Sequence, residues 1–417
     1  MKRTITILLV LAMMMTSVAF AGAQAEQTTT GPIKLGLMFG LTGNASPIGP
    51  PQLDGAKLAI KEINTAGGID FNGQKRLVEY LVRDDETKPD VAIRRFRALV
   101  NEDKVDAIVG QTFASITGAL NQEVKRTPVA YFPVNVVGLD MFKKSEISDY
   151  TFAVHGSAYS AGYASAVTLV KDLNKKDIVF FGPAYAFGQD QWRGAQDAFK
   201  AMGITARYLE SPVGTSDFTS YLSKIIDMKP EAVMLAHWGV DAINVLKQTY
   251  ETGLKNQTTV FFNWMTNAFG SGVPAEALEG VYSLMSWYYD LTGFEDQQIV
   301  DASTVFANNF FNEYGYPPDP YSAMAYIGTK EALRGLSLAG SNDPSAVTKA
   351  MLENPQFDSM KGKAEWRIDR QPTFAYNAFI VVGKGPSERE NQLWDLVKVI
   401  GAFTGDDYLP ALNTLGY

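Results

Sequence analysis

The chain has 417 residues, 46% hydrophobic and 20% charged, with a net charge of −8 and a pI of about 5.0. That composition is globular, and an acidic chain without a basic run speaks against nucleic-acid binding, which needs clustered Lys and Arg. With no cysteine and only His155 and His237, disulfides, thiolate-bound metals and thiol nucleophiles are excluded, and His-rich metal sites are disfavoured.

Met1–Ala25 reads as a secretory signal peptide. Lys2 and Arg3 form a charged start, Ile5–Met15 is an apolar run, and small-residue exits of the A-x-A type follow at Ala19, Ala21, Ala23 and Ala25. The apolar run falls short of the ~20 residues that a membrane span requires. No Cys follows it, so no lipoprotein acylation site is present. Cleavage would remove Lys2 and Arg3 and take the net charge from −8 to −10. An exported chain without disulfides is expected in a bacterial periplasm.

From Ile33 the pattern alternates. A strand at Ile33–Phe39 precedes a helix at Leu53–Asn64, whose apolar residues recur at helical spacing. Then come a strand at Arg76–Val82, a helix at Pro89–Val100 opened by proline, and a strand at Asp106–Gly110. A helix at Ser115–Val124 and a strand at Pro128–Phe132 complete a β-α-β-α-β-α-β run, which predicts a parallel sheet covered on both faces. The alternation restarts with helices at Ala161–Leu173, Gln189–Met202, Phe218–Met228 and Ala242–Thr252. The strands between them are Asp177–Phe181, Ala206–Leu209, Ala232–His237 and Thr259–Phe262. Two α/β sheets of similar size are therefore expected. After Gly280–Trp287 the chain turns helical at Ile299–Tyr314, Tyr321–Leu338 and Pro344–Glu353, and a last strand is predicted at Ala375–Val382. The strand near Val281–Ser286 is expected to lead back to the first sheet and the last strand to return to the second.

The most specific segment is the helix end Glu62-Ile63-Asn64-Thr65-Ala66-Gly67-Gly68-Ile69. It follows the strand and Gly-rich loop Gly36–Gly43 and precedes Arg83-Asp84-Asp85 and Val105–Gly110. In order and spacing, Ile33–Val382 resembles the periplasmic solute-binding proteins of ABC importers, of the branched-chain amino acid/amide type (Leu/Ile/Val-binding protein-like). The resemblance implies an α/β type I periplasmic binding protein fold, two Rossmann-like lobes joined by a three-crossing hinge with a ligand clamped between them. Lobe 1 would comprise 32–153 and 284–365, and lobe 2 would comprise 154–283 and 366–417. It also implies a small-molecule ligand, an ABC permease in the inner membrane as partner, no cofactor, and a monomer.

In open α/β sheets ligands sit beyond the carboxyl ends of the strands, where helix N-termini present free N–H groups. Ser115 is placed to cap the helix after Gly110, with Thr112 beside it. In the family this loop grips the ligand carboxylate, and Asn135 resembles the second contact loop. The family usually holds a ligand ammonium with two second-lobe acids, at positions occupied here by Ala158 and by Asn263 in Phe262-Asn263-Trp264-Met265. Neither is acidic, and an unpaired ammonium in a closed cleft costs several kcal/mol. Strand-end aromatics, Tyr185, Phe187, Trp238 and Trp264, take their place as a box for a planar or apolar group or a cation. His155, at the expected first crossing, either donates to a ligand oxygen or makes a structural hydrogen bond; His237 is structural. Asp84, Asp85 and Glu86 read as solvated strand-end charge rather than a cation site. With no G-x-S-x-G, Walker A, H-E-x-x-H or G-x-G-x-x-G motif, an enzyme is not expected. The chain therefore reads as an extracytoplasmic receptor whose ligand is a carboxylate or amide lacking an ammonium. The alternatives are a branched-chain or aromatic amino acid binder, or a sensor feeding a membrane receptor.

Overall fold

The computed structural model describes residues 31–417; the expected signal peptide lies outside the described residues. The first sheet has the order β4-β1-β5-β6, all parallel, with β1 at Ile33–Phe39, β4 at Val78–Asp84, β5 at Ala107–Gly110 and β6 at Ala130–Pro133. A hairpin of β2 (Ile69–Phe71) and β3 (Gln74–Arg76), which the strand-helix pattern did not indicate, precedes β4. The crossovers are α1 (Gly49–Thr65), α2 (Pro89–Asn101) and α3 (Ala114–Val124). Strands β1, β5 and β6 are buried on both faces, so they read as largely continuous apolar runs, whereas edge strand β4 leaves Glu79 and Tyr80 exposed.

The second sheet has seven strands, ordered β16-β15-β11-β10-β9-β7-β8. Its parallel part comprises β7 (Ile178–Pro183), β8 (Arg207–Ser211), β9 (Ala232–Leu235), β10 (Thr259–Phe262) and β11 (Tyr282–Met285). The helices around it are α4 (Ala158–Val167), α5 (Ala186–Ala201), α6 (Thr219–Met228) and α7 (Val240–Glu251), followed by the short α8 (Asn267–Ser271) and α9 (Ala275–Leu278). After β11 the chain forms α10 (Gln297–Tyr314), α11 (Pro320–Ala339) and α12 (Pro344–Glu353). Alpha11 packs on α1 and against β5 and β6. A small antiparallel sheet follows, β12 (Gln356–Ser359), β13 (Gly362–Trp366) and β14 (Pro372–Phe374). Then β15 (Ala378–Gly383) and β16 (Val397–Phe403) add antiparallel to β11.

One expectation is corrected. The strand near Val281–Ser286 does not return the chain to the first sheet: Phe261 and Phe262 register with Tyr282 and Ser283, and Met285 pairs with Phe379. Val281, Leu284 and Met285 are buried in the second core, so the chain leaves that sheet only after Met285. The last strand pairs in the second sheet, and β16, not anticipated, extends it at the edge. The chain thus passes between the two sheets after β6, after β11 and before β15.

The helix pair α1/α11 comes together at Gly55, where a Cβ would lie 2.1 Å from the Ser322 carbonyl oxygen. Two backbones approach here with no room for a side chain. Gly55→Val is expected to destabilise the protein by about 1–3 kcal/mol, as overpacking of a filled core does. Equilibrium urea unfolding monitored by far-ultraviolet circular dichroism measures the loss.

Candidate functional site

The carboxyl ends of both sets of parallel strands meet at one interface. Its lower wall begins at β5. Gly110 takes φ +150°, where a Cβ would sit 1.9 Å from the Met38 carbonyl oxygen, and Gln111 follows at φ +78° with its N–H donated to Met38 O at 2.7 Å. A non-glycine residue at positive φ stores backbone strain and is held only by its surroundings. Here it leaves the Gln111 side chain fully buried with neither amide atom hydrogen-bonded. Gln52, buried on α1, donates through Nε2 to Gln111 O at 3.3 Å, and its own Oε1 has no partner.

The expected anion grip on this wall is only partly assembled. Thr112 is buried, and its hydroxyl accepts from Gly40 N at 3.0 Å. Ser115 does not cap α3. The helix starts a residue early, with the extended Phe113 at the cap position, and Ser115 falls in the first turn with its side chain exposed. It lines a cavity of about 520 Å³ with Asp140, Lys143 and Ala186, between the α3 and α5 ends. Asn135 is buried, accepts from Thr117 Oγ1 at 2.9 Å and donates to Val136 O. The residues expected to hold a carboxylate are thus engaged with the protein or turned outward.

The ring-bearing residues are brought together. Phe113 stacks on Tyr185 with centroids 5.1 Å apart and planes 3° from parallel, and Tyr185 stacks in turn against buried Phe187 at 6.0 Å. Trp238 meets Phe113 edge-on at 5.6 Å and donates Nε1–H to the Tyr321 hydroxyl at 3.2 Å. Tyr321 opens α11, so this bond ties the β9 loop to the helix lying on the first sheet. His155 sits between Tyr321 (5.6 Å) and Trp264 (5.0 Å). Tyr408 reaches the same region near Gly156, where a Cβ would meet its ring at 2.9 Å. The pairs are offset or edge-to-face, the arrangements favoured by ring quadrupoles.

Many polar atoms at this interface have no partner. Besides Gln52 and Gln111 these are both amide atoms of Asn263, Trp264 Nε1, His155 Nε2 and the Tyr408 hydroxyl, all on buried residues. Trp264 Nε1 lies near the Tyr321 hydroxyl without closing a hydrogen bond to it. Each orphaned buried group costs about 1–3 kcal/mol. Buried polar groups in folded proteins are otherwise almost always paired, so a cluster of exceptions needs a reason. Sequence reasoning named Asn263, Trp264 and Trp238 but missed Gln52, Gln111, Tyr321 and Tyr408. A glutamine within the apolar face of α1, next to Leu53 and Ala56, was the signal available for Gln52.

The rim carries direct polar contacts. Asp190 on α5 accepts from Leu139 N at 2.8 Å, and Arg193 reaches Asp190 at 2.8 Å and Asp140 at 3.3 Å. Asn44 Oδ1 accepts from Val240 N at the start of α7, 3.2 Å away. Asp319 caps α11 and also accepts from Ala268 N on α8 at 3.1 Å. His237 lies apart from the site: it hydrogen-bonds Ser211 at 3.0 Å between Phe181 and Phe218, and burial lowers its pKa to about 3. Within the acidic run, Glu86 is surface charge paired with Lys88 at 3.2 Å, but Asp84 and Asp85 are not solvated. Asp84 accepts from Leu41 N, Thr42 and Glu86 N, and Asp85 is fully buried, accepting from Thr87 N. Among the described residues no group of three or more His, Cys, Asp or Glu could hold a metal ion.

Residues 32–386 match the family model for periplasmic binding proteins, and the chain belongs to that family. Over 337 residues it is 23% identical to the Leu/Ile/Val-binding protein homolog 1 of Brucella abortus, covering 79% of this chain and 85% of that one. Its fold matches an amino acid ABC transporter substrate-binding protein from Pseudomonas fluorescens (TM-score 0.79, 23% identity, 92% and 98% of the two chains). It also matches a solute-binding protein of an ABC transporter from R. palustris in complex with benzoate (TM-score 0.76, 18% identity, 91% and 99%). The relatives are substrate-binding proteins rather than enzymes, and the family is extracytoplasmic. No helix among the described residues is long and apolar enough to cross a membrane.

Burial raises the Asp319 carboxyl from 3.8 to about 6 despite its backbone partners. A carboxyl whose folded pKa is raised binds more protons folded than unfolded between these values, so its share of stability is present below pH 4 and lost as pH rises to about 6. The shift corresponds to roughly 3 kcal/mol. Asp319→Asn keeps an N-cap acceptor and removes the titration. Denaturant unfolding at pH 4 to 7 is expected to show a flatter stability profile for the variant than for the wild type.

Proposed function

We propose that this protein is the extracytoplasmic receptor of an ABC importer of the branched-chain amino acid/amide type, capturing a small ligand that carries a carboxylate or amide but no ammonium. Two lobes, 32–153 with 284–365 and 154–283 with 366–417, close on the ligand as a clamshell; the second passage is better set after Met285, where β11 ends. The receptor is exported through its signal peptide, works as a monomer and delivers to a permease in the inner membrane, without catalysis or a cofactor.

One observation carries the ligand reading: the orphaned polar atoms of Gln52, Gln111, Asn263, Trp264 and His155 surround a ring-lined interface; Ala158 and Asn263, at the positions where the resemblance implies ammonium-binding acids, are not acidic. A ligand with a polar end and a planar or apolar body completes those hydrogen bonds and stacks among Tyr185, Phe187, Trp238 and Trp264. Thr112 and Asn135 form part of the buried first-lobe wall with their own polar atoms already paired, and Ser115 lies outside it. Asp319, the carboxylate nearest Tyr321, is engaged by Tyr321 N and Ala268 N and does not replace the missing acids.

The test is a thermal-shift screen of mature protein, refolded to strip bound ligand, against leucine, phenylalanine, their deaminated acids and the corresponding amides. Acids or amides are expected to raise the melting temperature, since ligand at 1,000 times Kd adds about 4 kcal/mol. Stabilisation by amino acids alone would establish the amino acid binder instead. Trp264→Ala is expected to weaken the effective ligand at least tenfold, and unchanged affinity would remove the site assignment.

A further inference from the structure

The residues that match the family end at 386, and β16 with all that follows lies beyond them. After β16 the chain leaves the second sheet. Asn377 N donates to Phe403 O at 2.8 Å, and a short helix α13 (Gly405–Tyr408) then rests on the passage that precedes β15. A Cβ on Gly405 would lie 2.9 Å from Thr373 and 3.1 Å from Asn377 Oδ1. Helix α13 also packs on α4, and there the Tyr408 ring closes on Gly156 in the passage that leaves the first sheet. Arg367 next donates to Pro410 O at 2.8 Å. The end of the chain reaches the first sheet's side. Leu415 is buried with Val137, Leu139, Met141, Phe142 and Ala153, and its carbonyl accepts from Lys144 N at 3.0 Å. That segment is tied to β6 by Phe152 N, which donates to Tyr131 O at 2.9 Å.

Tyr408 stands in the middle of this strap. On its outer side it lines, with Tyr159, Arg193, Asp407 and Thr414, a surface cavity of about 480 Å³. On its inner side it belongs to the same buried cluster as Trp238, Trp264 and Tyr321. It is therefore the partition between the outer cavity and the ring-lined interface. Gly156, which it touches, is the chain neighbour of His155, and His155 in turn meets Trp264 at 5.0 Å and Tyr321 at 5.6 Å. Tyr408 is 4% exposed, and its hydroxyl is closed off from water without a hydrogen-bond partner among the described residues. A phenol buried this far ordinarily finds a partner for its O–H, and stranding one costs free energy. Phenylalanine would fill the same place without that cost. The fold alone therefore gives no reason for the hydroxyl, and His155 Nε2 beside it is unpaired as well.

Resting on the site proposed above, we infer that Tyr408 is a further ligand-binding residue, donating its hydroxyl to the carboxylate or amide oxygen of the ligand, and that Gly405–Tyr417 is the strap that positions it, fastened on the first sheet's side by Leu415. The ligand then meets a wall that comes from neither set of parallel strands. Because the strap is anchored on both sides, parting the sheets at the site draws either Leu415 from its pocket or Tyr408 from Gly156. A ligand hydrogen-bonded to Tyr408 favours the arrangement in which both ends are seated.

The experiment titrates leucine, phenylalanine, 4-methylpentanoate, 3-phenylpropanoate and the amides of these two acids calorimetrically into refolded wild type, Tyr408→Phe, Leu415→Ala and Leu415→Met. For the probe that wild type binds most tightly, Tyr408→Phe is expected to lose about fivefold in affinity, the size of one buried hydrogen bond. Without a probe it is expected to melt no lower than wild type, because only an unpaired hydroxyl has gone. A purely structural tyrosine would give the reverse, a lower melting temperature with affinity unchanged. Leu415→Ala is expected to weaken the same probe at least threefold from outside the site, and Leu415→Met to restore it. Tyr408→Phe keeping the affinity within twofold would overturn the binding role, and Leu415→Ala doing so would overturn the strap; either result leaves the ligand reading standing. If leucine or phenylalanine alone binds, the reading of a ligand without an ammonium falls, and the ratio of wild type to Tyr408→Phe measured with that amino acid still decides this inference. Binding of none of the probes would overturn both.

Discussion

The hydrogen bond from Trp238 Nε1 to the Tyr321 hydroxyl is the contact around which the rest of the interface is arranged. Trp238 ends the β9 segment of one sheet and Tyr321 opens the helix that lies on the other. Neither residue could be buried alone, since each carries a polar atom into an apolar setting. Joined, they connect the stacked pair Phe113 and Tyr185, which Trp238 meets, to His155 and Trp264, which Tyr321 meets through His155. The cap of Asp319 on α11 fixes Tyr321 at its own backbone N–H, at 2.9 Å, so the position of the ring follows from where the helix begins.

Around that contact the protein combines two kinds of matter that folding usually keeps apart. The apolar rings repay burial through area and stacking, whereas the amides, the indole N–H and the imidazole repay it only when paired. The described residues leave a set of such groups unpaired, on both walls and at the passages between the sheets. The backbone contributes as well: Gln111 at positive φ, directly after a glycine that no other residue could replace, turns a strand end so that its side chain is carried into the interior. The strain and the missing partners coincide, which is how binding sites are ordinarily distinguished from packing.

The architecture was legible because parallel strands buried on both faces are written as apolar runs, and β10 and α12 lie at the positions that their patterns predicted. The misreadings have local causes. Strands of three to five residues, such as β2, β3, β13 and β14, are too short for periodicity to register. Beta16 alternates with exposed Lys398 and Ile400 because it is an edge. The β11 error was one of topology, since a strand's partner sheet is set by tertiary packing and not by its own residues. In the site, the aromatics were found because they follow strands; Tyr321 was missed because it stands in the first turn of a helix and follows no strand. The α3 cap was misplaced because a bulky Phe113, extended before the helix, took the position that Ser115 favours by propensity alone.

The contacts at the rim have a different character from those inside. Arg193 to Asp140 and Asn44 to Val240 N are surface exchanges that water can make almost as well, while Asp190 to Leu139 N is partly buried. Parting the two sheets at the rim therefore costs little, whereas parting them at the rings exposes apolar area and strands the polar atoms again. On the proposed clamshell reading, the lifetime of the closed form is governed from the centre outward. Whatever occupies the interior acts as the bolt, and the rim serves only to align the doors.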